Sequence, residues 1–233
     1  MKEYKIKYRK STYQGVIYWT YRSDEEFKNL LRIMHRQLME KFRIPKGASL
    51  SVFSKQVDAS HGKIIAELDG MKFKQYLVVG VSTIYLNIND FIKFNSDSQK
   101  IFKESGVYGK YGVTDIGTLQ YTVDNVKNSI SFGKDICPTI ISKASKYWYR
   151  TAYYQAFSNG NKRTGLLAAM VFLYLNFYIF DSRDVDIESD LYKKVSMNIA
   201  NKKMSEYDVY AFIWNNVKYD IDRSTENFIM RGK

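Results

Sequence analysis

The stretch Gln155-Ala156-Phe157-Ser158-Asn159-Gly160-Asn161-Lys162-Arg163-Thr164-Gly165 sets a glycine, an amide and two cations just ahead of an apolar run. That order suits phosphate binding. A helix starting at Asn161 leaves its first backbone N–H groups without intrahelical acceptors, and the helix dipole reinforces their pull on an anion. Gly160 allows backbone shapes closed to other residues and a close approach by a ligand. Asn161 adds its side-chain amide and its own N–H. Lys162 is a mobile point charge, while Arg163 presents a planar fork matched to two phosphate oxygens. Phe157 is an apolar anchor for the loop, and the small residues Gly165, Ala168 and Ala169 would let the preceding helix come close. Taken alone, the same residues also fit an ordinary helix–loop–helix turn with a solvated Lys162-Arg163.

The wider pattern resembles the Doc branch of the Fic/Doc family, whose motif runs His-x-Phe-x-Asp/Glu-Gly-Asn-Gly/Lys-Arg. Phe157, Gly160, Asn161, Lys162 and Arg163 match it in register. Upstream, Ile84-Tyr85-Leu86-Asn87-Ile88-Asn89-Asp90 resembles the opening strand and helix of Doc-like proteins, and Gly112-Val113-Thr114-Asp115-Ile116-Gly117-Thr118-Leu119 resembles their Gly-x-x-Asp-x-Gly-x-Leu segment. Downstream, Leu173-Tyr174-Leu175-Asn176-Phe177 is similar to the Leu-x-x-Asn-Gly end of the motif helix. The resemblance covers about residues 83–217. It implies a compact helical domain and a nucleoside triphosphate, with ATP the first choice. It further implies Mg²⁺, a protein hydroxyl as acceptor such as that of a translation factor, and an antitoxin or other protein as partner. Doc-like members transfer a phosphoryl group and act as toxins; Fic enzymes transfer a nucleotidyl group. The resemblance assigns catalytic roles to the position of Gln155 and to Lys162 and Arg163, phosphate binding to Gly160, Asn161, Lys162 and Arg163, and metal binding to Asn159.

Two positions depart from the motif. Gln155 stands where the family has its catalytic histidine, and an amide cannot take the proton that a group titrating near neutrality would take. Asn159 stands where the family has an acid, so it offers a metal an oxygen without charge. The only histidines, His35 and His61, lie far upstream and read as structural. Tyr153 and Tyr154 are adjacent to Gln155, but an ordinary tyrosine is protonated at neutral pH. Three readings stay open: a nucleotide-binding pseudoenzyme, an active transferase of altered geometry, and a toxic enzyme inactivated at Gln155.

The elements that must carry the loop change in texture near residue 82. Before it, Gln14–Tyr21 and Ser49–Val57 read as strands, and Lys63–Leu68 pairs with Lys72–Val81 about an Asp69-Gly70 turn. A helix over Asp24–Arg43 starts at a Ser23/Glu26 capping box and presents Phe27, Leu30, Leu31, Met34, Leu38 and Phe42 on one face. Beyond residue 82 the pattern is helical. Ile84-Tyr85-Leu86 is strand-like and precedes a helix over Asn89–Ser98. Gly106–Gly112 reads as a loop, Ile116–Ser129 as a helix, and Pro138 as the first turn of a helix reaching Phe157. Further helices are expected at Asn161–Phe177, Ile187–Ala200 and Ser205–Val217. The fold class is thus α+β overall: a small α+β domain (1–82) of unassigned role, a mainly α-helical Doc-like domain (83–217) and a polar C-terminal tail (218–233).

The 233 residues suffice for a sizeable core. No apolar run approaches the length of a membrane span, and no signal-peptide core is seen, so a cytoplasmic location is expected. The single cysteine, Cys137, excludes an internal disulfide. The net charge of +12 favours anionic partners. Lysines and arginines are scattered, however, with no run that marks a nucleic-acid site. A non-enzymatic interaction protein and a basic nucleic-acid-binding module therefore remain as alternatives to the transferase.

Overall fold

The computed structural model describes residues 4–21, 23–101, 112–180 and 190–232. Its strands and helices run β1 (Ile6–Tyr8), β2 (Ser11–Tyr13), β3 (Val16–Trp19), α1 (Asp24–Lys41), β4 (Leu50–Gln56), β5 (His61–Leu68), β6 (Met71–Gly80), α2 (Ile88–Ile101), α3 (Ile116–Lys127), β7 (Ile130–Ser131) and β8 (Lys134–Asp135). There follow α4 (Ile140–Tyr154), α5 (Asn161–Leu175), β9 (Tyr178–Phe180), α6 (Asp190–Ala200), α7 (Glu206–Asn216), β10 (Val217–Tyr219) and α8 (Ile221–Arg231). The protein is α+β overall and mainly helical. By its contacts the chain divides into two units. One takes the residues up to Thr83 with Phe177–Ile179 and the stretch from Lys218; the other takes Ile84–Asn176 and Phe180–Val217.

The first unit is built on a four-stranded sheet in the order β3-β6-β5-β4. β3 runs parallel to β6, and the remaining pairs are antiparallel. The hairpin between β5 and β6 turns at Asp69-Gly70, with φ of 51° and 79°. Both central residues of a twist-matched two-residue turn need such positive φ, which is why Asp-Gly serves here. Ser23 caps α1 by accepting from the Glu26 N–H. The buried face of α1 includes Leu30, Ile33, Met34 and Leu38, while Leu31 is only half-buried, so the stripe is rotated from the expected one.

The stretch expected as a loose polar tail is instead the helix α8, and Ser224 and Thr225 within it are fully buried. They are buried because they satisfy the outer edge of β3. The Val16 N–H donates to Thr225 Oγ1 (2.9 Å), the Ser224 hydroxyl donates to the Val16 carbonyl (2.6 Å), and the Tyr18 N–H donates to the Tyr219 hydroxyl (2.8 Å). A sheet edge closed by side-chain hydroxyls is closed to strand addition. The polar composition that suggested solvent was a set of hydrogen-bond partners.

In the second unit α4 and α5 pack against one another, flanked by α2, α3, α6 and α7. Thr139 and Ser142 cap α4 reciprocally, so Pro138 precedes the cap instead of sitting in the first turn. Trp148, Tyr147 and Phe172 are fully buried, and the Trp148 indole donates to Ser196 Oγ at 2.9 Å. A Cβ at Gly165 would come 2.8 Å from the Trp148 carbonyl oxygen, so the two helix backbones meet where the sequence has its small residues. Ile84-Tyr85-Leu86 forms no strand. The Asn176 side chain takes the place of a pairing strand, accepting from the Ile84 N–H (3.1 Å) and donating to its carbonyl (3.0 Å). Of the expected 106–112 loop only Gly112 is among the described residues, and the expected helix from Ile187 is described from Asp190. No helix among the described residues is long and apolar enough to cross a membrane.

Candidate functional site

The loop 155–160 joins the two central helices of the second unit. α5 begins behind Gly160, whose φ of 76° lies in the left-handed region, and no side chain among the described residues caps the helix. Gly160 brings no side-chain oxygen of its own to the first-turn N–H groups, which favours an anion at this helix start. The Arg163 side chain lies beside this point. A Cβ added at Gly160 would sit 3.6 Å from Arg163 Nη2 and 3.0 Å from Asn95 Nδ2. Arg163 is 9% exposed, whereas Lys162 is exposed. The two cations thus differ: a guanidinium packed against the loop and a mobile ammonium at its rim.

Asn161 does less at the surface than its sequence position suggests. Its side chain turns back, accepting from the Phe157 N–H (2.9 Å) and donating to the Phe157 carbonyl (2.7 Å). The amide closes the loop, and what Asn161 offers a ligand is its backbone N–H. Phe157 is buried at 3% exposure. Asn159 Oδ1 accepts from the Gly160 N–H at 2.6 Å, so this oxygen is turned into the loop's own backbone.

Residues that sequence reasoning missed hold the loop from two sides. Asn95 of α2, 3% exposed, donates to the Asn159 carbonyl (2.8 Å) and to Thr164 Oγ1 (3.0 Å), and Thr164 in turn donates to the Gly160 carbonyl (2.9 Å). Its signal in the sequence is an amide four residues after the buried Phe91, on the core face of a helix, where a polar group must have a partner. On the other side, the Ala156 carbonyl accepts from the N–H groups of Thr114 (2.9 Å) and Asp115 (3.1 Å), and the Ser158 N–H donates to the Gly112 carbonyl (3.0 Å). Val113 and Phe157 form an isolated β-bridge. The segment 112–115 thus lies along the loop, and Asp115 then caps α3 through the Thr118 N–H.

Gln155 is exposed and ends α4 in the left-handed conformation, with φ of 54° and ψ of 53°. A non-glycine residue there is uncommon, and such backbone strain gathers at functional sites. Tyr149 stacks on Tyr153 with centroids 5.1 Å apart, and burial together with the neighbouring tyrosines pushes the Tyr149 hydroxyl above its ordinary pKa. Both histidines belong to the first unit and have partners there: His35 Nε2 meets the Leu50 carbonyl at 3.1 Å, and His61 meets Asp58 and Tyr8.

The loop fits a phosphate better than it fits a metal. Uncapped N–H groups, Arg163 and Lys162 suit an anion, whereas Asn159 contributes a single neutral oxygen already facing the Gly160 N–H. Among the described residues no cluster of three or more His, Cys, Asp or Glu is placed to hold a metal ion. Residues 85–173 match the family model described as Fic/DOC family, and this match spans α2 to α5 and the loop between the last two. No curated protein matches the chain.

Proposed function

We propose that the loop 155–165 binds the phosphates of a nucleoside triphosphate, ATP in the first instance, in a Doc-like protein related to enzymes that modify protein hydroxyls. The observation that carries this reading is the uncapped start of α5 behind left-handed Gly160, with the Arg163 guanidinium beside it. The backbone N–H groups of the first turn and Arg163 hold the phosphate oxygens, and Lys162 adds charge from the rim. Mg²⁺ would come largely ligated by the phosphates themselves, since Asn159 alone offers little to it. An acceptor hydroxyl, such as that of a translation factor, would approach at Gln155, which orients it by hydrogen bonds without taking its proton. An antitoxin-like partner belongs to the same reading.

Titration calorimetry with ATP tests it. The chain binds ATP, and Arg163→Ala weakens binding by about 10- to 100-fold, the usual worth of a charged hydrogen-bonding group. Lys162→Ala, which removes an exposed charge, costs less than about tenfold. Absence of heat with ATP and with other nucleoside triphosphates, in the unaltered chain, would overturn the proposal.

A further inference from the structure

The four-stranded sheet of the first unit treats its two edges differently. At β3, outward backbone groups are taken by Thr225, Ser224 and Tyr219. β4 is the other edge. Its ladder to β5 fixes which of its backbone groups point inward. The pairing runs without a shift from Leu50↔Leu68 to Gln56↔Gly62. Just beyond its two ends, the Asp69 N–H donates to the Ser49 carbonyl and the Val57 N–H to the His61 carbonyl, each at 2.9 Å. Bonded residues alternate along an antiparallel strand. Ser51, Phe53 and Lys55 are therefore in phase with Ser49 and Val57 and bond to β5. Leu50, Val52, Ser54 and Gln56 turn their N–H and C=O groups outward. The Leu50 carbonyl bears this out by meeting His35 Nε2 of α1 at 3.1 Å, away from β5. From Val52 on, the outward backbone groups have no hydrogen-bond partner among the described residues.

Native sheets blunt such an edge with proline, a bulge or charge. β4 has no proline and no bulge, and its one charge is the exposed Lys55. Lys55 stands directly opposite Lys63 of β5, and neither has an ion-pair partner among the described residues. Like charges in that position destabilise a sheet. Phe53, half-buried, lies two residues away on the same face, with Lys55 Nζ 5.5 Å from its ring centre. A strand added to β4 would run beside Lys55 on the side away from Lys63. A carboxylate there offsets the repulsion, and a further cation adds to it. A second copy is therefore disfavoured, since its β4 brings another Lys55 on a chain of net charge +12.

We propose that the outer edge of β4 binds an extended, acidic segment of a partner protein, which adds to the sheet as a further strand. The backbone of the segment pairs with Val52, Ser54 and Gln56. One of its carboxylates faces Lys55, and an apolar side chain two residues away faces Phe53. Main-chain bonds supply the affinity, and the alternate side chains supply the choice of partner. The site lies in the first unit and does not depend on the phosphate loop.

Amide hydrogen exchange in the ¹⁵N-labelled full chain tests this with a capped octapeptide, Thr-Glu-Thr-Val-Thr-Glu-Thr-Val. In the free chain the amides of Val52, Ser54 and Gln56 exchange quickly, and those of Phe53 and Lys55 are protected. Saturating peptide slows the three outward amides by about tenfold or more. The same peptide N-methylated at its threonines, whose N–H groups face β4, leaves them fast. With lysine for glutamate, the peptide binds about two- to tenfold more weakly at low salt. Ser54→Pro removes an outward N–H, a change that an edge strand tolerates, and abolishes the slowing at Val52 and Gln56. Lys55→Glu, at an exposed position, keeps the edge and reverses the preference between the two charged peptides. Outward amides already protected in the free chain, as a second copy on the edge would make them, would overturn the proposal. So would slowing by the N-methylated peptide, or a charge preference that Lys55→Glu leaves unchanged.

Discussion

On the proposed reading, Gln155 separates binding from reaction at the scale of one side chain. It stands where the resemblance places a proton-accepting histidine, and it holds a left-handed backbone conformation at the end of α4. Histidine enters that conformation more readily than most residues. Gln155→His should therefore restore a titrating group without disturbing the helix end or the Asn161 bonds that close the loop. Incubation of both proteins with γ- and α-labelled ATP in cell extract reads the outcome. The variant is expected to label protein about 10²–10⁴-fold faster than the unaltered chain, the usual contribution of a general base. Label arriving only from the γ position identifies phosphoryl transfer, and label from the α position identifies nucleotidyl transfer. Equal labelling by the two proteins would show that Gln155 does not occupy the position of the base. Asn161 carries a related lesson. The sequence marks it as a ligand residue, yet the fold uses its amide to bind Phe157, and only the three-dimensional loop shows that the side chain is already engaged.

At the scale of elements, the loop depends on how closely α4 and α5 approach. Gly165 makes that approach, since any Cβ there would meet the Trp148 carbonyl at 2.8 Å and the Thr151 Cβ at 3.2 Å. The backbone of α4 cannot yield as a flexible side chain would. Gly165→Ala is expected to destabilise the second unit by about 1–3 kcal/mol, the cost of overpacking a filled core, even though alanine is the better helix former. Thermal unfolding followed through Trp148 and Trp214 measures this, and an unchanged or raised midpoint would refute it. The sequence disclosed this contact because small residues at helical spacing have one obvious use. It disclosed α1, β4, β5, β6 and α7 as well, through residue pattern and the Asp69-Gly70 turn. It did not disclose Asn95 under the loop or α8 along β3. Each works through a polar side chain meeting backbone far away in sequence, 64 residues for Asn95 to Asn159 and 209 for Thr225 to Val16. Such pairings leave no local period, so Ser224 and Thr225 looked like residues bound for water.

Across the whole molecule, acidification acts on both units in the same direction. Among the described residues, three carboxylates are held below their ordinary value by hydrogen bonds that the unfolded chain lacks: Asp58 chiefly by the Ser60 N–H and His61, Asp115 by the N–H and hydroxyl of Thr118 at the start of α3, and Asp208 by those of Ser205 at the start of α7. A group whose folded pKa is depressed stabilises the fold above its unfolded pKa, here 3.8, and loses that contribution as pH falls through the folded value. In the same interval the protonation of other carboxylates raises a net charge that is already +12 at neutrality, adding self-repulsion. The midpoint of thermal unfolding should therefore be nearly flat from pH 7 to about pH 5 and fall steeply below about pH 4. Asp58→Asn keeps the size of the side chain but cannot lose a charge. It should lower the midpoint at neutral pH and flatten the acid limb of the first unit, read through Trp19 fluorescence in a Trp148→Phe, Trp214→Phe background. The second unit, still governed by Asp115 and Asp208, should keep its acid limb. A midpoint that rises on acidification, or an acid limb unaltered by Asp58→Asn, would show that these hydrogen bonds do not set the pH dependence of the fold.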